Sequence, residues 1–236
     1  MSNTYFEFKQ FRIEQAMCAM KVTTDACIQG AWTPVLSGVK RVLDIGAGTG
    51  LLALMLAQRN TGISIDAVEF DHDAAKQASE NVGASPWADR INIVEADIRE
   101  FKAAHRYDLV ITNPPFFNNS LLGDKDRKNH ARHTLSLSYA GLLAAMEAHL
   151  DEGGYISILL PATEYELWKE MAMGSGWIET GKLSVKHRAH APVKRVVGLF
   201  SKTGSTYIES VLTIQDDDGS YTAGFTELLS QFYLGL

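Results

Sequence analysis

The residues best suited to chemistry are Asn113, Pro114, Pro115 and Phe116, which directly follow segment 108–112. That segment predicts a short buried strand, because it is apolar and β-branched with polar ends. Two consecutive prolines have fixed φ angles and no N–H groups, so the chain must leave the sheet in a stiff, extended form. An amide oxygen, a carbonyl and an aromatic ring are thereby held at the carboxyl end of a strand, where open α/β sheets bind ligands.

These groups suit the methylation of a planar exocyclic amine, whose nitrogen is a poor nucleophile because its lone pair is delocalised into the ring. The side-chain oxygen of Asn113 and the carbonyl of Pro114 can each accept one N–H of the amine. Phe116 offers a stacking face worth about 1–3 kcal/mol for a nucleobase. With a sulfonium cation as methyl donor, orientation matters more than a strong base. The alternative is a strand followed by a proline-rich turn with a packing phenylalanine.

A glycine-rich turn is the element that would hold the donor. Segment 41–45 predicts a buried strand that contains Asp44, and segment 51–58 predicts a helix. Between them stand Gly46, Gly48 and Gly50, which would let the backbone approach a ligand closely. A dinucleotide fingerprint would need a glycine at position 51, which is leucine.

Two further acids follow predicted strands. Glu69 ends the strand predicted over 63–69, and its carboxylate can accept two hydrogen bonds from a ribose diol. The alternative for Glu69 is a favourable charge at the start of the next helix, where Asp71 and Asp73 also stand. Asp97 follows the strand predicted over 90–95, where an Asx turn is one interpretation.

The pattern Asp-x-Gly-x-Gly-x-Gly at 44–50, with Glu69, Asp97 and Asn-Pro-Pro-Phe at 113–116, resembles the class I S-adenosylmethionine-dependent methyltransferases that modify amino groups. The resemblance implies a Rossmann-like α/β fold with a mostly parallel, seven-stranded sheet and an antiparallel edge strand. It also implies S-adenosyl-L-methionine as cofactor, with Asp97 beside the cofactor's adenine. The expected cofactor-binding residues are Asp44, Gly46, Gly48, Gly50, Glu69, Asp97, Asn113 and Thr24.

Segments 21–25, 30–32, 85–92 and 231–234 narrow the resemblance, which runs almost end to end, to the bacterial tRNA1(Val) (adenine(37)-N6)-methyltransferase family. This implies N6-methylation of the adenine immediately 3′ of the anticodon, with the tRNA anticodon loop as partner. The catalytic tetrad of that family usually ends in tyrosine. Phe116 preserves stacking here but not a phenolic hydrogen bond.

Three other functions remain open at this stage. Guanine-N2 rRNA methyltransferases also carry an Asn-Pro-Pro-Phe motif. Protein glutamine N5-methyltransferases use similar chemistry, but they usually have an additional amino-terminal helical domain, which the segment before residue 41 does not predict. The third function is a non-catalytic, cofactor-binding RNA module, against which the intact motif at 113–116 argues.

Two basic segments are candidates for RNA contact, although the formal net charge of the 236-residue chain is −6. Segment 182–202 contains six basic residues and no acid, which leaves −12 for the rest of the chain. A local patch of this kind predicts salt-sensitive RNA binding, and the alternative is a solvated surface. The expected contacts are Lys125, Arg127, Lys128 and Arg132 in loop 118–133, and Lys186, Arg188, Lys194 and Arg195 in the second segment.

The remaining features predict a cytoplasmic protein without a membrane span, and we expect a monomer. Cys18 and Cys27 are not spaced as a zinc site or a redox pair and are expected to be buried or partly buried free thiols. His130 and His133 lack a carboxylate or thiol spaced to complete a site, so no metal is expected. We expect one methyltransferase domain over 1–236, in which residues 1–38 form a lead-in or cap and residues 39–236 a Rossmann-like core with a basic carboxyl-terminal hairpin.

Overall fold

The structure, a computed structural model, describes residues 3–115, 137–204 and 206–236. In these ranges it has six helices: α1 (Thr24–Trp32), α2 (Leu51–Arg59), α3 (His72–Gly83), α4 (Tyr139–His149), α5 (Ala162–Gly174) and α6 (Ala223–Leu229). The strands in the same ranges are β1 (Tyr5–Glu7), β2 (Arg12–Glu14), β3 (Arg41–Ile45), β4 (Ser64–Glu69), β5 (Ile91–Glu95), β6 (Tyr107–Thr112), β7 (Leu150–Pro161), β8 (Ile178–Lys186), β9 (Val193–Ser201) and β10 (Ile208–Thr213).

A mostly parallel sheet forms the centre of the molecule, in the order β10-β8-β9-β7-β6-β3-β4-β5. β9 pairs antiparallel with both β7 and β8, and β10 pairs parallel with β8. The predicted Rossmann-like α/β class is confirmed, including the antiparallel strand towards one edge. The predicted count of seven strands is wrong, because the described residues contain eight: segment 208–213 pairs with β8 along its whole length.

Apolar side chains cover both faces of the central strands. Leu109 and Ile111 pack on the face that carries α1 and α2, whereas Leu43 and Val110 pack on the face that carries α4 and α5. Burial on both faces explains why these strands are continuous apolar runs rather than alternating ones. The amino-terminal residues form a separate hairpin, in which β1 pairs antiparallel with β2.

Parallel pairing brings the carboxyl ends of β3, β4, β6 and β7 to the same edge of the sheet. The glycine-rich turn follows β3, Glu69 is the last residue of β4, and Asn113 follows β6. At the same edge, α1 begins with Thr23 as its N-cap, whose hydroxyl accepts the N–H of Ala26 at 3.2 Å.

Candidate active site

The glycine-rich turn is held in a conformation that L-residues rarely adopt. Gly46, Gly48 and Gly50 have φ angles of 74°, 55° and 81°. A Cβ atom added at Gly46 or Gly48 would meet no atom within 4 Å, so open space lies in front of these two residues. Glycine is therefore required by the backbone conformation, and the space beside it is available to a ligand.

That space belongs to a cavity of about 400 Å³, within the roughly 300–1,000 Å³ of small-molecule sites. Five of the eight expected cofactor-binding residues line it: Gly46, Gly48, Glu69, Asp97 and Asn113. Pro114 and Pro115 of the expected catalytic set also line it. Phe116 and the expected RNA contacts Lys125, Arg127, Lys128 and Arg132 lie outside the described residues.

Three expected cofactor-binding residues do not line the cavity. Thr24 is the first residue of α1, and its side chain lies beside that of Tyr233. Gly50 turns the chain into α2, and a Cβ atom added there would meet Ala78 of α3 at 3.6 Å. Asp44 is completely buried beneath the turn. These three residues stand behind the residues that line the cavity, and their contact with a cofactor stays a prediction.

The carboxyl group of Asp44 is unusual because neither of its oxygens makes a hydrogen bond of normal geometry with the described residues, although the backbone N–H of Ala53 lies close to it. Burial raises its pKa to about 7; the backbone N–H of Ala53 offsets part of this rise, and the charge of Glu69 adds to it. A buried acid of this kind holds a proton at pH values at which exposed aspartates are ionised.

Glu69 joins the end of β4 to the glycine-rich turn. Its Oε2 accepts the backbone N–H of Gly48 at 2.8 Å, and its Oε1 accepts that of Asp71 at 2.9 Å. A carboxylate has about four lone-pair positions, so both oxygens retain capacity to accept hydrogen bonds from a ligand in the cavity. Asp71 is itself the N-cap of α3, as its position after the strand predicts.

Asp97 both forms an Asx turn and stands at the cavity, where the cofactor is expected. Its Oδ1 accepts the backbone N–H of Arg99 at 2.9 Å, which is an Asx turn, and the residue also lines the cavity. The Arg99 guanidinium hydrogen-bonds both carboxylate oxygens and lowers the pKa of Asp97. The carboxylate is therefore charged and held in place at the cavity wall.

Asn113 presents an acceptor that the rest of the described protein does not use. Its Oδ1 is buried and has no hydrogen-bond partner among the described residues, although an unpaired buried acceptor costs roughly 1–3 kcal/mol. Pro114, which follows, is buried, and Pro115 is exposed. An acceptor of this kind, at the wall of a cavity, is suited to an N–H group of a ligand.

The sequence is similar to methyltransferases over nearly its full length. The sequence matches the family model "Methyltransferase small domain" over residues 33–160. It is 46% identical to the tRNA1(Val) (adenine(37)-N6)-methyltransferase of Dyadobacter fermentans, over 98% of this chain and 98% of that one. It is 43% identical to the protein of the same name from Tolumonas auensis, over 99% of this chain and 98% of that one. The chain belongs to the tRNA1(Val) (adenine(37)-N6)-methyltransferase family.

Solved structures of methyltransferases share the fold of this family member. A protein of Agrobacterium tumefaciens described as a predicted O-methyltransferase superposes with a TM-score of 0.66 at 18% identity, over 88% of this chain and 96% of that one. The glycopeptide N-methyltransferase MtfA, in complex with S-adenosyl-L-methionine, superposes with a TM-score of 0.54 at 15% identity, over 76% and 87%. At these identities the likeness concerns the fold alone, and it confirms the class I assignment.

One wall of the cavity in this family member was not predicted from the sequence. Residues 18–22 all line the cavity, and we call segment 14–22 the strap. Cys18, part of that wall, is a buried thiol as expected, and burial together with the charges of Glu69 and Asp71 raises its pKa to about 11. Phe70, which is 56% exposed, lines the cavity beside Glu69 and was also missed.

Two buried amides on α3 fasten the strap. Asn81 accepts the N–H of Glu14 at 2.8 Å and donates to the carbonyls of Glu14 and Thr49, each at 2.9 Å. Gln77, one helical turn earlier, accepts the N–H of Met17 at 3.2 Å. Asn81 therefore ties the strap to the glycine-rich turn that contains Thr49.

The basic residues of segment 182–202 lie towards both ends of the hairpin that β8 and β9 form. Lys186, Arg188 and Lys194 lie around the turn between β8 and β9, at the edge that carries Asn113. Lys202 lies beyond the opposite end of β9 and pairs with Glu147 at 2.9 Å. Arg195 lies near the β8–β9 turn but pairs with Asp25 of α1 at 3.2 Å, so it has a structural contact besides the RNA contact that we expected.

Proposed function

We propose that the protein methylates N6 of adenine 37 in tRNA(Val), the adenine immediately 3′ of the anticodon, with S-adenosyl-L-methionine as donor. The observation that carries the proposal is the unpaired Oδ1 of Asn113 in the cavity that also contains the glycine-rich turn and Glu69. Family membership favours an adenine over the guanine and glutamine substrates that the motif alone allows.

The residues at the cavity fit a donor of this kind. Open space in front of Gly46 and Gly48 leaves room for its amino-acid part, and Glu69 offers free lone pairs to a ribose diol. Asp97 stands where it can accept from an adenine amine. When bound, S-adenosyl-L-methionine supplies a methyl group on a cationic sulfur, which needs no further activation.

Orientation of the amine is the contribution of the chain itself. Asn113 Oδ1 accepts one N–H of the adenine amine, and the Pro114 carbonyl accepts the other. Because the acceptors are neutral and held by a strand end and two prolines, the nitrogen lone pair is directed to the incoming methyl without reorganisation of the site. The N–C bond forms as the S–C bond breaks, and the surplus proton of the nitrogen leaves to solvent. Phe116, next in the chain, would stack on the base.

Basic side chains at the same edge support binding of the RNA backbone. Lys194 is exposed and Arg188 half-buried at the β8–β9 turn, so both can approach the phosphates of a loop whose target base is splayed into the cavity. We propose that the anticodon loop docks here, together with Lys186 and the basic residues of loop 118–133. We also propose that the protein acts as a single-domain monomer in the cytoplasm, where tRNA is found.

A transfer assay with several acceptors tests this function. Purified protein would be incubated with methyl-labelled S-adenosyl-L-methionine and, separately, with unmodified tRNA(Val), other tRNAs, ribosomal RNA and release factors. Label recovered as N6-methyladenosine in tRNA(Val) alone is the expected result. Label recovered as N2-methylguanosine or in protein would overturn the substrate, and the absence of label with the donor still bound would overturn the activity.

A further inference from the structure

A buried polar network lies directly beneath Asn113, in the otherwise apolar contact between α1 and the sheet. Gln29 of α1 is completely buried, and its Nε2 donates to the carbonyl of Thr112 at 2.9 Å. Thr112 is the last residue of β6 and directly precedes Asn113. Gln29 Nε2 also makes two longer contacts with Ser157, at 3.4 Å to its carbonyl and 3.5 Å to its hydroxyl, and that hydroxyl shares a hydrogen bond with the hydroxyl of Thr33 at 2.7 Å.

Packing alone does not account for an amide at this position. Ile28 and Ala31 on the same helix are buried apolar residues. An apolar residue of similar length to glutamine at position 29 would avoid the cost of burying an amide. The Oε1 of Gln29 has no hydrogen-bond partner among the described residues, which adds a further destabilising contribution. The donor Nε2, rather than a gain in stability, therefore distinguishes glutamine from an apolar residue here.

The Gln29 contact controls the orientation of a peptide plane. Because the peptide unit is planar, fixing the Thr112 carbonyl also fixes the direction in which the chain enters Asn113. The side chain of Asn113 starts from that Cα, so rotation of the plane would displace its Oδ1 relative to the cavity. A displacement of about 1 Å in a reacting geometry costs on the order of 100-fold in rate.

The side chain of Thr112 also holds a peptide unit on the donor side of the cavity. Its Oγ1 donates to the carbonyl of Ile45 at 2.7 Å, and that carbonyl belongs to the peptide unit that leads into Gly46. One residue thus connects the peptide plane before Asn113 with the plane before the glycine-rich turn. Gln29 holds the first of these planes from the helix side.

We propose that Gln29 is a positioning residue, which acts through the Thr112 carbonyl to hold Asn113 Oδ1 in line with the methyl donor. The inference rests on the proposed methyl transfer to an amine. It assigns to the lead-in helix α1 a role in the rate of transfer, not in binding of the donor.

The test compares Gln29→Met, which keeps an unbranched side chain of similar length but removes the donor, with Thr33→Val. The control variant removes the hydroxyl that bonds Ser157 in the same buried contact, and it leaves the 2.9 Å contact from Gln29 to the Thr112 carbonyl in place. For each protein, three quantities would be measured: the single-turnover rate of methyl transfer to tRNA, the Kd for S-adenosyl-L-methionine and the Tm. If Gln29→Met does not fold, Gln29→Asn retains an amide that is too short to reach Thr112.

We expect the Gln29 variant to transfer methyl at least about tenfold more slowly, with Kd within about twofold of wild type. Thr33→Val should lower Tm and leave the rate near wild type. An unchanged rate in the Gln29 variant, an equal loss of rate in Thr33→Val, or a rise in Kd that matches the loss of rate would each overturn the inference. A wild-type protein inactive on all tRNAs would instead refute the proposed function, and this inference with it.

Discussion

The N–H of Gly48 donates to Glu69 Oε2 at 2.8 Å, which fastens the glycine-rich turn after β3 to the end of the neighbouring strand β4. The second oxygen of the same carboxylate accepts the N–H of Asp71 at the start of α3. Glu69 therefore shapes the donor side of the cavity in addition to any contact that it makes with a ribose.

Glu69→Gln should weaken donor binding by at least about tenfold, or about 1.4 kcal/mol. Glutamine has one acceptor oxygen, so it cannot accept from both Gly48 and Asp71 and also bind a ribose diol. Calorimetric titration with S-adenosyl-L-methionine measures the change. Glu95→Gln, at the exposed end of β5, is the matched control and should bind like wild type; equal affinities for Glu69→Gln and wild type would contradict the assigned role.

Asn113→Ala should reduce methyl transfer by about 100- to 1,000-fold, the usual cost of losing one preorganised group at the reacting atoms. The Kd for S-adenosyl-L-methionine should remain nearly unchanged, because the donor side depends on the glycine-rich turn and Glu69. Asn92→Ala, which removes an exposed amide bonded to Asp66, controls for the loss of an asparagine elsewhere on the sheet. Near-normal turnover of Asn113→Ala would rule out the catalytic assignment.

The raised pKa of the buried Asp44 carboxyl group should make the stability of the protein depend on pH. Its pKa is about 7 in the folded protein against an ordinary 3.8, so between these values the native state holds a proton that the unfolded chain has lost. The stabilising contribution is present at low pH and is lost as pH rises towards 7. The free energy of unfolding of wild type minus that of Asp44→Asn should therefore decrease from pH 4.5 to pH 7 and then stay level. Urea denaturation measures it, with exposed Asp89→Asn as control; parallel profiles for wild type and Asp44→Asn would disprove the shift.

Asn81→Asp should loosen the strap without changing the shape of the side chain. The carboxylate can still accept the N–H of Glu14, but it cannot donate to the carbonyls of Glu14 and Thr49. We expect a lower Tm and a weaker affinity for S-adenosyl-L-methionine, because residues 18–22 form a wall of the cavity. Donor titration combined with hydrogen exchange of segment 14–22 tests this. Unchanged exchange would show that Asn81 does not hold the strap.

Arg188→Ala combined with Lys194→Ala should weaken tRNA binding and reduce its salt dependence. Each lost phosphate contact reduces the magnitude of the negative slope of log K against log salt by about 0.7–0.9. Lys202→Ala is the matched control, because Lys202 lies at the opposite end of β9 and pairs with Glu147. Binding measured over a salt series decides the point, and a slope equal to that of wild type would make the β8–β9 turn an ordinary solvated surface.

Local patterns in the sequence predicted the elements that build the donor side. The bounds of β3, the turn with three glycines and the acid at the end of β4 follow from residue types within a few positions of one another. Asn113 was likewise predicted from the strand and the two prolines around it. Parallel strands place such positions at one edge of the sheet without further information.

The contacts that complete the site join distant parts of the chain. Asn81 binds the strap across 67 positions, and Gln29 binds Thr112 across 83. No local periodicity indicates such pairs, because a buried amide looks the same in sequence whether it faces a helix end or a strand end. For the same reason neither the complete burial of Asp44 nor the pairing of Arg195 with Asp25 was foreseen.

The most direct measurement is nucleoside analysis of two tRNA(Val) transcripts, one with adenine and one with guanine at position 37, after incubation with the protein and S-adenosyl-L-methionine. We predict one N6-methyladenosine per molecule in the first transcript and no methylated nucleoside in the second. Methylation of both transcripts to the same extent, or a product other than N6-methyladenosine, would contradict the account.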